Sequence, residues 1–208
     1  MRIDDILKAA SIIPVLEVER LDDAAPLARA LAAGGLTVVE LTLRTAAALQ
    51  ALGEMKRASP ALIVGMGTVR TGEDVERSLA AGADFLVSPG ASDALLRAMA
   101  VAPALPGVAT ASEAMTAFEA GYRAMKFFPA EPAGGATYLK SLAGPLPDLV
   151  FCPTGGIGPE RAPDYFALPN VACVGGTWIA TKAMIAKGDW AGIEANAAKA
   201  ASLKPAKR

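Results

Sequence analysis

Short apolar, β-branched runs alternate along the whole chain with alanine-rich segments of helical spacing. Runs of this length bounded by turn residues predict strands. They fall at residues 12–18 (IIPVLEV), 37–43 (TVVELTL), 62–69 (LIVGMGTV), 84–90 (DFLVSPG), 103–108 (PALPGV), 124–130 (AMKFFPA), 149–156 (LVFCPTGG) and 171–178 (VACVGGTW), eight in all. The segments between them carry helix punctuation. Thr71 precedes an acidic first turn (Glu73, Asp74), Val75 and Leu79 keep helical spacing, and Gly82 suits the left-handed position that ends a helix. Ser92 with Leu95, Leu96 and Met99 reads the same way, as does Ser112 with Met115 and Phe118. A quasi-repeat reinforces the pattern: LAAGGLTVVEL, LAAGADFLVSP and FEAGYRAMKFF each run from helix end through glycine into strand.

Eight β/α units predict an α/β protein, a single (β/α)8 TIM barrel. The rival, an open doubly wound sheet, lacks its G-x-G-x-x-G fingerprint, because GMGTVRTG has neither that spacing nor a suitable following helix. Residues 1–208 are expected to form one domain, with a short N-terminal helix and a frayed C-terminal tail, KPAKR.

Composition narrows the function. The 208 residues are 53% hydrophobic, enough for a sizeable core, and the formal net charge of -1 with no basic run gives nucleic acid or an anionic membrane no electrostatic handle. The expected partners are small molecules or copies of the chain itself. The start, MRIDDILKAA, has two early acids and no long apolar stretch, so a cytoplasmic protein is expected. Cys152 and Cys173 sit in apolar strand-like runs and read as buried core residues. Histidine is absent, which excludes Ser-His-Asp and Cys-His nucleophile systems and histidine-based metal sites. Acid-base chemistry is left to carboxylates, lysine, tyrosine and water.

Polar residues interrupt strands where a barrel should be oily. Side chains alternate along a strand, so Glu40, Thr42 and Arg44 of VELTLR share one face, with Leu41 and Leu43 on the other. In AMKFFPA the same parity groups Ala124, Lys126 and Phe128. Charges pointing into a barrel must pair or perform a task, since an unpaired one costs several kcal/mol. A structural Glu40–Lys126 or Glu40–Arg44 pair is one reading. The other is chemical. Active sites of these barrels form at the carboxyl ends of the strands, and apolar surroundings favour the uncharged, nucleophilic form of a lysine. A neutral Lys126 amine can form a Schiff base with a ketone, and Glu40 can shuttle protons through water. The paired glycines of CPTGGI and VGGTW, near the ends of strands seven and eight, suit a phosphate site, with Thr154 and Thr177 as added donors. The expected substrate is a phosphorylated carbonyl compound.

In order and spacing, VVELTLRT, VGMGTV, VSPG, MKFFPAE, FCPTGGI and CVGGTW resemble the 2-keto-3-deoxy-6-phosphogluconate (KDPG) aldolases. This class I aldolase family also includes the 4-hydroxy-2-oxoglutarate aldolases. The resemblance spans nearly the whole chain and implies a (β/α)8 homotrimer that needs no metal or cofactor. It implies Lys126 as the Schiff-base lysine and Glu40 as the acid/base, with Arg44, Thr68 and Pro89 at the substrate carboxylate and Phe128 as a pocket wall. Thr154, Gly155, Gly156, Gly176 and Thr177 would bind phosphate. The implied reaction is reversible cleavage of 2-dehydro-3-deoxy-6-phosphogluconate to pyruvate and glyceraldehyde 3-phosphate. The alternatives are the 4-hydroxy-2-oxoglutarate or 6-phosphogalactonate substrate, or, more remotely, a Lys/Glu phosphosugar epimerase or a non-catalytic phosphometabolite-binding barrel.

Three positions depart from the family pattern. Thr177 replaces the usual serine and keeps the hydroxyl. Met66 replaces a smaller residue and points either into the pocket or at the helices. Glu17 stands at a variable rim position, where an acid either disfavours anionic substrate groups or is simply solvated, and the solvated state is the expectation.

Overall fold

The computed structural model describes residues 1–203; the KPAKR tail expected to fray lies outside the described residues. Every predicted strand region contains strand, trimmed at its ends: β1 (Ile12–Leu16), β2 (Val38–Thr42), β3 (Ile63–Gly67), β4 (Leu86–Val87), β5 (Ala104–Leu105), β6 (Gly107–Val108), β7 (Ala124–Phe127), β8 (Val150–Pro153) and β9 (Val174–Gly176). All pairings are parallel, in the orders β5-β4-β3-β2-β1-β9 and β6-β7-β8. The two sheets are one closed ring. Parallel bridges Phe151–Val171 and Thr154–Gly175 join the β8 region to the β9 region. On the other side β5 and β6 are one stave broken at Pro106, which has no N–H to give to a ladder. That stave pairs with β4 through Ala104 and Leu105 and with β7 through Gly107 and Val108. The result is the expected eight-staved (β/α)8 barrel.

Helices α1 (Ile3–Ala9), α2 (Ala24–Ala33), α3 (Ala48–Ala58), α4 (Gly72–Ala80), α5 (Asp93–Met99), α6 (Ala111–Glu119), α7 (Gly135–Leu142), α8 (Ala162–Phe166), α9 (Lys182–Lys187) and α10 (Trp190–Ser202) accompany the strands. None of them is long and apolar enough to cross a membrane. Alternation sorts the strand residues into two cores. Leu41, Met66, Leu86, Met125, Phe127 and Phe151 pack outward with the helices, which settles Met66 as a helix-facing residue. Val38, Phe85, Val87, Leu105, Ala124, Cys152 and Cys173 pack inward with Ile6 and Leu7 of α1. Val38 and Ala124 open their strands, so α1 closes the amino-terminal mouth of the barrel; burying Ile6 and Leu7 contributes about 1.5–3 kcal/mol each. Both cysteines are free and buried, as expected. Within the ring, Gly65 makes room for Phe85, whose ring lies 2.4 Å from where a Cβ would stand.

The punctuation of α4 and α5 is as expected. Thr71 Oγ1 accepts from Asp74 N at 3.1 Å, Ser92 Oγ accepts from Leu95 N at 3.3 Å, and Gly82 adopts φ +92° just past α4. Helix α6 corrects the sequence reading. Its cap is Thr110, not Ser112, because Thr110 and Glu113 form a reciprocal capping box. The buried face is Ala114 and Ala117, leaving Met115 and Phe118 exposed, with Arg123 lying over the Phe118 ring at 5.2 Å.

Candidate active site

Strands β2 and β7 stand apart in the ring, and their inward side chains meet in its interior. Lys126 Nζ donates to Glu40 Oε1 at 2.9 Å and to Oε2 at 3.2 Å, with both side chains about 5% exposed. The pair fits because β3 offers no side chain opposite the carboxylate. A Cβ on Gly67 would stand 2.1 Å from Glu40 Oε1. Phe128 lies over the lysine, with Nζ 5.3 Å from the ring centroid. Thr42, the remaining inward polar residue of β2, donates its hydroxyl to the Leu16 carbonyl at 2.8 Å, a structural role.

Beyond the end of β2, Arg44 Nε donates to Thr68 Oγ1 at 3.1 Å. Thr68 has φ +62°, the only non-glycine positive φ among the described residues. A β-branched residue avoids that region, so the surrounding fold holds this hydroxyl in place against a local cost of roughly 1–2 kcal/mol. Pro89 lies at the neighbouring strand end. Gly107 permits its approach, since a Cβ there would fall 2.3 Å from the Pro89 carbonyl carbon, and Gly107 N donates to Ser88 Oγ at 3.1 Å. Glu17 departs from expectation. It is not solvated: Oε1 accepts from Arg44 Nη1 at 2.9 Å, Oε2 lies 2.5 Å from Lys182 Nζ, and the side chain is 17% exposed. Burial pushes its carboxyl up, but Lys182 and Arg44 together outweigh that and hold it below the ordinary carboxylate range.

A cavity of about 390 Å³ opens over the lysine, lined by Arg44, Lys126, Phe128, Thr154, Gly155, Gly156 and Thr177 of the expected residues. Val15, Ile157, Gly158, Gly175 and Trp178 complete the lining. On β9 it is Gly175 that faces inward, where a Cβ would strike Thr154 Oγ1 at 2.2 Å, whereas a Cβ on Gly176 would meet Trp178 and Ile179. Gly155 and Gly156 have φ +109° and +80°, a pair that only glycines adopt readily. Among the described residues, no acceptor takes up the N–H groups of Gly156, Ile157 and Thr177, which leaves donors for an anion. The loop after β7 braces this turn, with Ala130 N donating to Thr154 O at 2.8 Å and Glu131 N to Gly155 O at 3.0 Å. Glu131 is fixed in turn by the Tyr165 hydroxyl, which donates to Oε1, and by Arg161 at 3.4 Å. Burial, then the Glu131 carboxylate, pushes the Tyr165 phenol up.

A lysine-carboxylate pair at one end of a cavity and a glycine turn at the other invite comparison with known proteins. The family model described as KDPG and KHG aldolase matches residues 3–196. The chain belongs to that family. The 2-dehydro-3-deoxy-phosphogluconate aldolase of Pseudomonas aeruginosa is 49% identical over 195 residues, covering 93% of this chain and 89% of the relative. The KHG/KDPG aldolase of Escherichia coli is 41% identical, covering 90% and 89%. A crystal structure of KDPG aldolase from Legionella pneumophila, with pyruvate captured as a covalent carbinolamine intermediate, superposes at a TM-score of 0.94 with 42% identity, covering 97% of this chain and 99% of that one. Against the family motifs in the sequence, the residues that reading missed are Gly67, Gly175 and the Glu17–Lys182 pair. Gly175 was legible as the inward-parity glycine of VGGTW. The Glu17–Lys182 pair joins the first strand end to the last helices and has no local signal.

Proposed function

We propose that this chain is a class I aldolase that reversibly cleaves 2-dehydro-3-deoxy-6-phosphogluconate to pyruvate and glyceraldehyde 3-phosphate. The observation that carries the reading is the buried Lys126–Glu40 pair, whose lysine lines a cavity that Arg44 and the Gly155–Gly156 turn also line. The two relatives and the pyruvate carbinolamine of the Legionella enzyme support it.

Proton transfer from the ammonium to Glu40 along their hydrogen bond frees the amine, which attacks C2 of the keto acid. The carbinolamine expels water, with its proton supplied by Glu40, and leaves an iminium. Removal of the C4 hydroxyl proton, relayed to Glu40 through water, then lets the C3–C4 electron pair move into the iminium. Glyceraldehyde 3-phosphate departs and an enamine remains. Protonation at C3 by the same relay and hydrolysis release pyruvate and regenerate the lysine. Arg44, Thr68 and Pro89 hold the carboxylate; Thr154, Gly155, Gly156, Gly175 and Thr177 hold the phosphate, Gly175 taking the place expected of Gly176 because it is the glycine of β9 that faces the cavity; Phe128 walls the reacting carbons. Fixing both ends of the substrate aligns C2 with the amine, the part of catalysis that geometry supplies. In this reading the enzyme is cytoplasmic, works as a homotrimer and draws on no metal.

Borohydride added with pyruvate is expected to leave a stable mass increment on Lys126. Lys126→Ala loses both the adduct and turnover, and a Lys126→Ala variant that still cleaves substrate refutes the assignment. Turnover of the 6-phosphogluconate, 6-phosphogalactonate and 4-hydroxy-2-oxoglutarate forms side by side identifies the preferred substrate.

A further inference from the structure

Among the described residues, Glu17 is the one carboxylate bonded to the arginine that the proposed function assigns to the substrate. It lies two residues beyond the cavity-lining Val15, just past β1, and its two oxygens are divided between two cations: Arg44 takes Oε1 at 2.9 Å and Lys182, the first residue of α9, takes Oε2 at 2.5 Å. Arg44 is 41% exposed and the Glu17 carboxylate only 17%, so the acid is the better-held member of this pair. Lys182 has a second anion, Glu19, at 3.7 Å.

An incoming keto-acid carboxylate therefore meets an arginine already bonded to a carboxylate of the protein. Both anions have the same geometry and charge, and a guanidinium engages one planar carboxylate best in a two-pronged contact. We propose that Glu17 competes with the substrate carboxylate for Arg44, and that Lys182, by competing with Arg44 for Glu17, sets how strongly it does so. Glu17 and Lys182 are then positioning residues that tune substrate affinity through Arg44. The inference rests on the reading that Arg44 binds the substrate carboxylate.

The chemistry predicts opposite signs for the two ends of one ion pair. Glu17→Gln removes the competing charge, and KM for pyruvate in the condensation direction falls about threefold to fivefold, the span of a partly exposed ion pair. Lys182→Met leaves Glu17 to Arg44 alone, and KM rises about twofold to threefold. Neither group touches Lys126 or Glu40, so the change falls on KM rather than kcat. Methyl pyruvate, the same ketone with its carboxylate esterified, is insensitive to both substitutions in borohydride trapping. A purely structural ion pair gives same-direction effects, so KM shifting the same way in both variants, or in neither, overturns the inference while leaving the aldolase reading intact. Wild-type protein that captures no pyruvate overturns the aldolase reading and this inference with it.

Discussion

The most exacting test of the site is a single methyl group placed behind the carboxylate. Gly67 lies inside β3, opposite Thr42 in the ladder, and a Cβ built there falls 2.1 Å from Glu40 Oε1 and 2.7 Å from both Cγ and Cδ. Ordinary contact needs about 3.5 Å, so Gly67→Ala displaces the carboxylate by roughly 1 Å or more. That is enough to break the 2.9 Å bond to Lys126. Overpacking of this kind costs about 1–3 kcal/mol of stability, and misplacing a reacting group by about 1 Å costs about a hundredfold in rate. Cleavage can be followed by coupling pyruvate release to its reduction by NADH. The expected result is kcat down about a hundredfold, with pyruvate still trapped on Lys126 but more slowly, because the lysine has not been moved whereas Glu40, which also serves imine formation, has. Shortening the acid in the same background, with Glu40→Asp added to Gly67→Ala, should return much of the lost stability, a non-additivity expected only of groups in contact. A Gly67→Ala enzyme with kcat within about threefold of wild type would show that the placement of Glu40 does not limit the chemistry.

Two further outcomes follow from local geometry. At Thr68, where φ is +62°, the usual order of alanine above glycine should invert: Thr68→Gly is expected to be more stable than Thr68→Ala by about 1 kcal/mol in urea titration, and alanine equal or better would mean the strain is not there. Glu113 accepts from Ala109 N at 2.7 Å and Thr110 N at 2.9 Å, and the Ala109 bond, against burial, holds its carboxyl below the ordinary value. A lowered folded-state value contributes stability above the unfolded value near 4.3 that is lost as pH falls through the folded one. Glu113→Gln should therefore destabilise by about 0.5 kcal/mol near neutral pH after solvent screening, with the gap closing in acid; a gap independent of pH refutes the charge effect.

The ring of strands was legible because each strand writes its own signal locally: an apolar run with period-two alternation, bounded by glycine or a cap. Capping signals were equally local, and where the reading failed, at α6, two caps competed within three residues. Thr110 with Glu113 offers both halves of a reciprocal box, whereas Ser112 offers one, and the apolar spacing of Met115 and Phe118 fits an exposed stripe as well as a buried one. The strand ends were overestimated for a related reason. Side-chain pattern continues past the end of the regular strand, as at Glu17, Thr68 and Thr177, where the chain turns to carry functional groups over the barrel mouth.

Parity along two separate strands was enough to point Glu40 and Lys126 inward, but not to say that they touch. That contact depends on ring closure, which sets β2 and β7 across from each other, and on the vacancy at Gly67, a residue whose contribution is the side chain it lacks. The same logic explains why Glu17 was misread. From its own neighbours, PVLEVER, it looks like a solvated rim acid. Its partners come from the end of β2 and the start of α9, brought beside β1 only because β1 sits between β2 and β9 in the ring. Charges at a strand end are thus assigned by the neighbouring staves rather than by their own sequence, and a single acid just past β1 is coupled to both flanks of the cavity at once.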